Sequence, residues 1–314
     1  MPMPKLRMRS FLVLAILSAV TTTVFACPPT TYTRDDLFQL KAIGFEKVSA
    51  EKANALSVEL LVCLGDPDPK IRDGIVFEAI QLWLRTNQLS TETIQTIHTR
   101  LLQDLTGPED PGGYLRPFAA LLLSEVARVD RLHPFMTPAQ RTALANAAAD
   151  FMTHITDYRG FDEVEGWRHR VAHTADLILQ LSLNNQVGKP ELKTMMQAVF
   201  SQVAPKGPVF YTYGEPARLA LPVYFAHRRS LLTQGLLTRD LLTKDEWAEL
   251  FRTIADPKPF ATWRDVYTTQ TGLARRHNTI AFLNEVYTTA KTANDPQAEE
   301  LAVFAQKDLE ALEK

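Results

Sequence analysis

The sequence predicts an all-α protein, and three observations carry that prediction. Apolar residues recur at i, i+3 and i+4 along most of the 314-residue chain. Clusters of Pro and Gly cut that recurrence into segments of helical length. No run alternates apolar and polar residues as a half-buried strand would. Only residues 208–213, Val209-Phe210-Tyr211-Thr212-Tyr213 after Pro208, could extend briefly, and they have no evident partner.

Taken in order, residues 35–44 form a short first helix. Residues 49–64 follow, with Ser49 as N-cap and Lys52 where a capping-box glutamate would stand. This second helix ends at Gly65. A turn through Asp66, Pro67 and Asp68 then leads to a helix with Pro69 at its first position, where a missing N–H costs nothing. That helix runs to about Arg85. Segments 91–105, 114–130 and 138–154 continue the pattern, separated by Gly107-Pro108, Pro111-Gly112-Gly113 and Pro134. Helices are expected again at 163–183, 190–203, 214–229, 243–254, 259–269, 273–290 and 295–312. About a dozen helices with short connections, paired at about 40 residues per pair, suggest a right-handed superhelix of the HEAT/armadillo kind. Residues 66–80 resemble one HEAT repeat: an aspartate-proline turn, then a branched residue and an arginine opening the second helix. The other pairs do not repeat this signature, so the repeats are degenerate. Residues 34–314 read as one domain.

The amino terminus has a different character. Lys5, Arg7 and Arg9 precede the apolar run 11–20, and Val24-Phe25-Ala26 follow before Cys27. Basic, then apolar, then small residues make a secretory signal over residues 1–26. The run is too short to span a bilayer comfortably. Residues 27–33 form a Pro/Thr linker. The protein is expected outside the cytoplasm, periplasmic or secreted. Cys27 leaves two alternatives open. Residues 24–26 fit simple cleavage, and they also resemble a lipobox that would make Cys27 a lipid anchor. Without acylation, Cys27 and Cys63 could pair as a disulfide in an oxidising compartment. Cys63 lies in the apolar run 60–64, which suits a buried, inert thiol. Two cysteines cannot build a zinc-thiolate framework. A formal net charge of −2 lacks the basic excess of a nucleic-acid binder.

Residues 157–181 hold the candidate chemistry. Asp162 and Glu165 have capping-box spacing, so the helix is expected to start there. One face would then carry Val164, Trp167, Val171, Ile178 and Leu181. The opposite face would carry a stripe of Glu165, His169, His173 and Asp176, flanked by Arg168 and Arg170. Three readings fit that stripe. It is a solvated face with pairing at i,i+3 and i,i+4. Alternatively, His169, His173 and Asp176 hold a divalent metal, since two imidazoles one turn apart can share an ion; the zincin glutamate between them is missing. In the third reading, Arg159, Arg168 or Arg170 join the histidines in a pocket for an anion or polar ligand. Asp66, Asp68, Arg72 and Asp73 read as turn, cap and interhelix pairs. Trp83, Trp167, Trp247, Trp263, Tyr211 and Tyr213 read as core or rim residues, with stacking on sugar rings the alternative.

A family resemblance rests on four blocks. The first is Leu64-Gly65-Asp66-Pro67-Asp68-Pro69 with Ile71-Arg72-Asp73-Gly74. The second is Tyr158-Arg159-Gly160-Phe161, Gly166-Trp167, His169, Val171-Ala172-His173 and Ala175-Asp176-Leu177. The third is Gly214-Glu215 with Arg218-Leu219-Ala220, and the fourth is Arg276, Asn278, Phe282-Leu283 and Tyr287. Together they resemble the bacterial domain of unknown function DUF2785. The resemblance implies an all-α, HEAT-like domain and carries no established reaction. It also implies that Arg159, Trp167, His169, His173, Asp176, Glu215 and Arg218 lie together on a concave face. Pro216-Ala217 stands where acidic residues belong in the pattern.

The expected function is binding or scaffolding of a protein, peptide or small polar ligand in the cell envelope. No resident cofactor is expected beyond the candidate divalent metal, no nucleic acid, and no membrane contact beyond the candidate lipid on Cys27. The alternative is an envelope hydrolase, metal-assisted or not, using His169, His173 and Asp176, because an imidazole titrates near neutral pH.

Overall fold

Local capping signals set where the first helices begin. The structure, a computed structural model, describes residues 27–232, 241–293 and 295–313. The expected signal segment, residues 1–26, lies outside the described residues. Helix α1 (Arg34–Ile43) opens on a capping box between Thr33 and Asp36, and α2 (Ala50–Glu59) on the Ser49 hydroxyl. Asp68 caps α3 (Pro69–Ile71), which widens into a π-helical turn at Arg72–Phe77 before α4 (Glu78–Arg85). Then come α5 (Thr91–Thr106), α6 (Leu115–Leu132) and α7 (Pro138–Thr153). A two-stranded antiparallel hairpin, β1 (Phe161–Asp162) and β2 (Gly166–Trp167), precedes α8 (Arg170–Leu183). Helices α9 (Lys189–Ser201), α10 (Glu215–Leu232), α11 (Lys244–Ala255), α12 (Gln270–Thr292) and α13 (Glu299–Ala311) complete the chain. Among the described residues no helix is long and apolar enough to cross a membrane.

These helices form two layers. In one, α4, α6, α8, α10 and α12 each pack on the next. In the other, α2, α5, α7, α9, α11 and α13 do the same. Sequence-adjacent helices, such as α5 with α6 and α7 with α8, join the layers. One contiguous apolar core runs from Leu37 to Leu312 and takes in Trp83, Trp247 and Trp263 as expected. Buried charge marks a corner of the bundle. Asp130 accepts from Arg141 Nε at 2.6 Å, from Asn184 Nδ2 at 2.9 Å and from the main-chain N–H of Met136 at 2.8 Å. It thereby ties the end of α6 to the start of α7 and the end of α8.

Three expectations need correcting. The helix expected at 259–269 is a loop followed by a 3-10 turn (Asp265–Thr268). There Asp265 accepts from the Thr262 main-chain N–H, and Trp263 donates its indole N–H to Ala255 O, so local side chains capture the backbone. Cys27 and Cys63 form a disulfide with their Cα atoms 4.9 Å apart. Sulphur so engaged cannot carry a lipid thioether, and Cys63, although fully buried, is no free thiol. The third correction, at residues 161–169, shapes the functional site.

The connection between α9 and α10 forms no strand. Asn278 on α12 accepts from Tyr211 N at 2.9 Å and donates to Val209 O at 2.8 Å, meeting the backbone as a neighbouring strand would. Tyr211 donates its hydroxyl to Gln202 O at 2.7 Å. This pinned loop delivers Tyr213 to the hairpin.

Candidate functional site: an aromatic ledge on a braced hairpin

Asp162 does the local work expected of it, in a different structure. Its carboxylate accepts from Val164 N and from Glu165 N, both at 2.8 Å. Those bonds close a tight turn where a helix start was expected. Gly166 has φ +72°, a left-handed conformation that glycine adopts without penalty. A Cβ there would sit 2.9 Å from Pro69 Cβ. His169 is also left-handed, at φ 50°, and occupies the N-cap of α8. The helix therefore starts at Arg170. Glu165 and Trp167 leave its surface, and the predicted single stripe does not form.

Buried arginines hold the hairpin. Arg72 is wholly buried and donates to Glu165 O at 2.8 Å, to Asp66 O at 2.9 Å and to the Asp73 carboxylate at 2.8 Å. The Arg72 guanidinium, at 4.2 Å, and that of Arg168, at 4.4 Å, both lie over the Tyr114 ring. Arg168 donates to Gly112 O and the Tyr114 hydroxyl, both at 2.9 Å, and to Glu165 at 2.7 Å. Arg170 makes two 2.7 Å bonds to Glu109, a fork-to-carboxylate pair. Arg159 bonds both oxygens of Asp157, at 2.8 and 2.6 Å. The arginines expected in an anion pocket thus have internal acceptors instead. Asp66, Asp68, Arg72 and Asp73 keep their expected structural roles, with Arg34 paired to Asp68.

What the hairpin displays is aromatic. Trp167 stacks on His169 with ring centroids 4.6 Å apart. Phe161 lies 5.0 Å from Trp167, and Tyr213 meets Trp167 edge-on at 5.8 Å. His169 Nε2 bonds Tyr213 O at 3.1 Å. Phe161 is 46% exposed, Tyr213 41% and Val164, at the turn, 82%. Glycine at 160 is required for this packing, because a Cβ would fall 2.0 Å from the Tyr213 ring. The result is a contiguous aromatic ledge of Phe161, Trp167 and Tyr213 with exposed Val164 at the turn of the same hairpin, and exposed apolar ledges mark contact surfaces.

The remaining candidates lie behind it and beside it. Burial and the nearby Arg218 charge hold the His169 pKa at about 4, so its ring is neutral at pH 7. His173 is buried against Phe118, 5.1 Å between ring centroids, and burial pushes its pKa well below the usual value. Its Nδ1 has no hydrogen-bond partner. Asp176 pairs with Arg218 at 2.9 Å, yet burial outweighs that attraction and raises its pKa to about 6. Glu215, buried, accepts from Tyr213 N at 2.9 Å; burial raises its pKa also. Glu215 therefore positions the ledge, and Arg218 and Asp176 flank it. Among the described residues no group of three or more His, Cys, Asp or Glu is placed to hold a metal ion. His169, His173 and Asp176 are thus not assembled as a ligand set: His169 has left the helix, and Asp176 faces an arginine.

From sequence, Val164 is expected on the packed apolar face of a helix, Trp167 and Tyr213 in the core or rim, and Phe161 figures only within a family block. The structure instead exposes Phe161, Val164 and Tyr213 and leaves Trp167 half-buried. Phe161 and Trp167 flanking an acidic turn that ends in Gly166 was the available hairpin signal. No curated protein and no solved structure matches the chain. A family model does match, over residues 101–288, which takes in the hairpin, the ledge and the loop that carries Tyr213, but leaves out the block at 64–74. The chain belongs to the family described as Protein of unknown function (DUF2785).

Proposed function

We propose that this protein is an exported binding module that engages a protein or peptide partner through the ledge of Phe161, Val164, Trp167 and Tyr213. The observation that carries this reading is the ledge's combination of exposure and rigidity. Phe161, Val164 and Tyr213 stand at the surface around a half-buried Trp167, while buried arginines fix the backbone beneath them. Pre-organised aromatic surface loses little entropy on binding, which favours affinity. The two-layer packing of alternate helices supports a degenerate HEAT-like superhelix as the scaffold. The Cys27–Cys63 disulfide supports an oxidising compartment, and so export. The test is recovery of a partner with the wild-type protein purified from its producing cell. The Phe161→Ser/Val164→Ser variant, with unchanged melting temperature, loses that partner if the reading is right. Equal recovery with the variant refutes it.

One observation favours an envelope hydrolase as a second reading. Asp176, with its pKa at about 6, and a neutral His169 both face Arg218, and perturbed groups cluster at catalytic sites. Full activity of a His169→Ala/Asp176→Asn variant, on any substrate found, would end that reading.

A further inference from the structure

The surface around the ledge has a sign. Residues 161–165 are all exposed, and three of the five are acidic: Asp162, Glu163 and Glu165. The cations of the same stretch are withdrawn or neutralised. The Arg168 and Arg170 guanidiniums are buried, on Tyr114 and Glu109. Arg159 and Arg218, the exposed cations nearby, are held by Asp157 and Asp176. The hairpin thus presents carboxylates around exposed rings. Aromatic faces attract cations as well as apolar groups. Lysine and arginine side chains offer both features, an aliphatic stem and a charged head.

From this complementarity we infer that the partner of the ledge is a basic polypeptide segment with aliphatic residues between its lysines or arginines. The inference rests on the binding reading above and adds the chemistry of the partner. Aliphatic side chains and stems lie on Phe161 and Val164. A cationic head lies over the Trp167 and Tyr213 rings. Glu163 supplies the counter-charge, since Glu165 is already paired with Arg168. The turn needs no rearrangement, because Asp162 and Arg72 already hold it.

Trp167 provides the readout. The other three tryptophans, Trp83, Trp247 and Trp263, are buried, so a ligand on the ledge changes the emission of Trp167. The probe is a short synthetic peptide of lysine, leucine and serine, compared with its counterpart carrying glutamate for every lysine. Calorimetry and tryptophan emission follow the titrations at low and physiological salt. The lysine peptide should bind saturably and more weakly as salt rises. Glu163→Lys should weaken it by about tenfold, while Glu92→Lys on α5, away from the hairpin, leaves it unchanged. Absence of binding by the lysine peptide, or binding indifferent to Glu163→Lys, overturns the inference. Tighter binding of the glutamate peptide, lost in Phe161→Ser/Val164→Ser, also overturns it but leaves the ledge as a binding surface. The two readings therefore fail separately.

Discussion

Arg72 reaches across 93 positions of sequence to donate, from a wholly buried guanidinium, to the main-chain carbonyl of Glu165. That bond fastens the exposed hairpin to the second helical pair. Arg72→Met would leave Glu165 O and Asp66 O without their donor and should cost about 3 kcal/mol in urea denaturation. Arg72→Lys should recover less than half, because an ammonium lacks the planar fork that serves three acceptors and lies over Tyr114. A loss below about 1 kcal/mol in Arg72→Met would contradict this account of the brace.

Gly166→Ala should destabilise the protein by about 1–2 kcal/mol, since it combines a left-handed φ with a near clash against Pro69. Gly207→Ala provides the control. It has a left-handed φ of +94° but nothing within 4 Å of the added Cβ, and its cost should be about 1 kcal/mol at most. Thermal melts of the two variants measure the difference, and equal losses would show that the Pro69 contact does not matter.

The disulfide closes a loop of sequence separation 36. In the chain-entropy account its removal in Cys27→Ala/Cys63→Ala should lower stability by about 3–4 kcal/mol. Thiol titration of the unfolded wild-type protein, without reductant, should find no free cysteine. Two titratable thiols would contradict the bond.

Burial raises the pKa of Asp308 on α13 from 3.8 to about 6. One of its carboxylate oxygens is buried without a hydrogen-bond partner. Its folded pKa lies above its unfolded one, so the native state binds the proton more tightly. The stability drawn from this group is full below pH of about 4 and is lost as pH rises through about 6. Asp308→Asn removes the penalty. It should be more stable than wild type at pH 7 by up to about 2 kcal/mol, with the difference vanishing near pH 3. A difference independent of pH would point to packing instead.

Much of the fold was legible because local rules agreed with the tertiary outcome. Thr137 and Gln140 form the capping box that starts α7, with Pro138 at its first turn. Ser49 caps α2 as expected. The hairpin was misread because Asp162 and Glu165 satisfy a capping-box spacing, and carboxylate-to-amide bonds serve a turn as readily as a helix start. Gly166 and the distant Arg72 decided between them, and the second is invisible to any local window. The site inherited that error. Once His169 became a left-handed N-cap, its ring stacked on Trp167 and bonded Tyr213 O. His173 remained on the helix but faces the core, against Phe118.

The central claim is that the hairpin ledge meets a partner. A photo-crosslinking residue at Val164, the most exposed apolar position of the hairpin, tests it in the producing cell. Val303 on α13, 54% exposed, serves as the control position. The account predicts a discrete adduct from position 164, absent from position 303 and suppressed by Glu163→Lys on the same chain. No adduct at 164 with one at 303, or adducts indifferent to Phe161→Ser and Glu163→Lys, would contradict it.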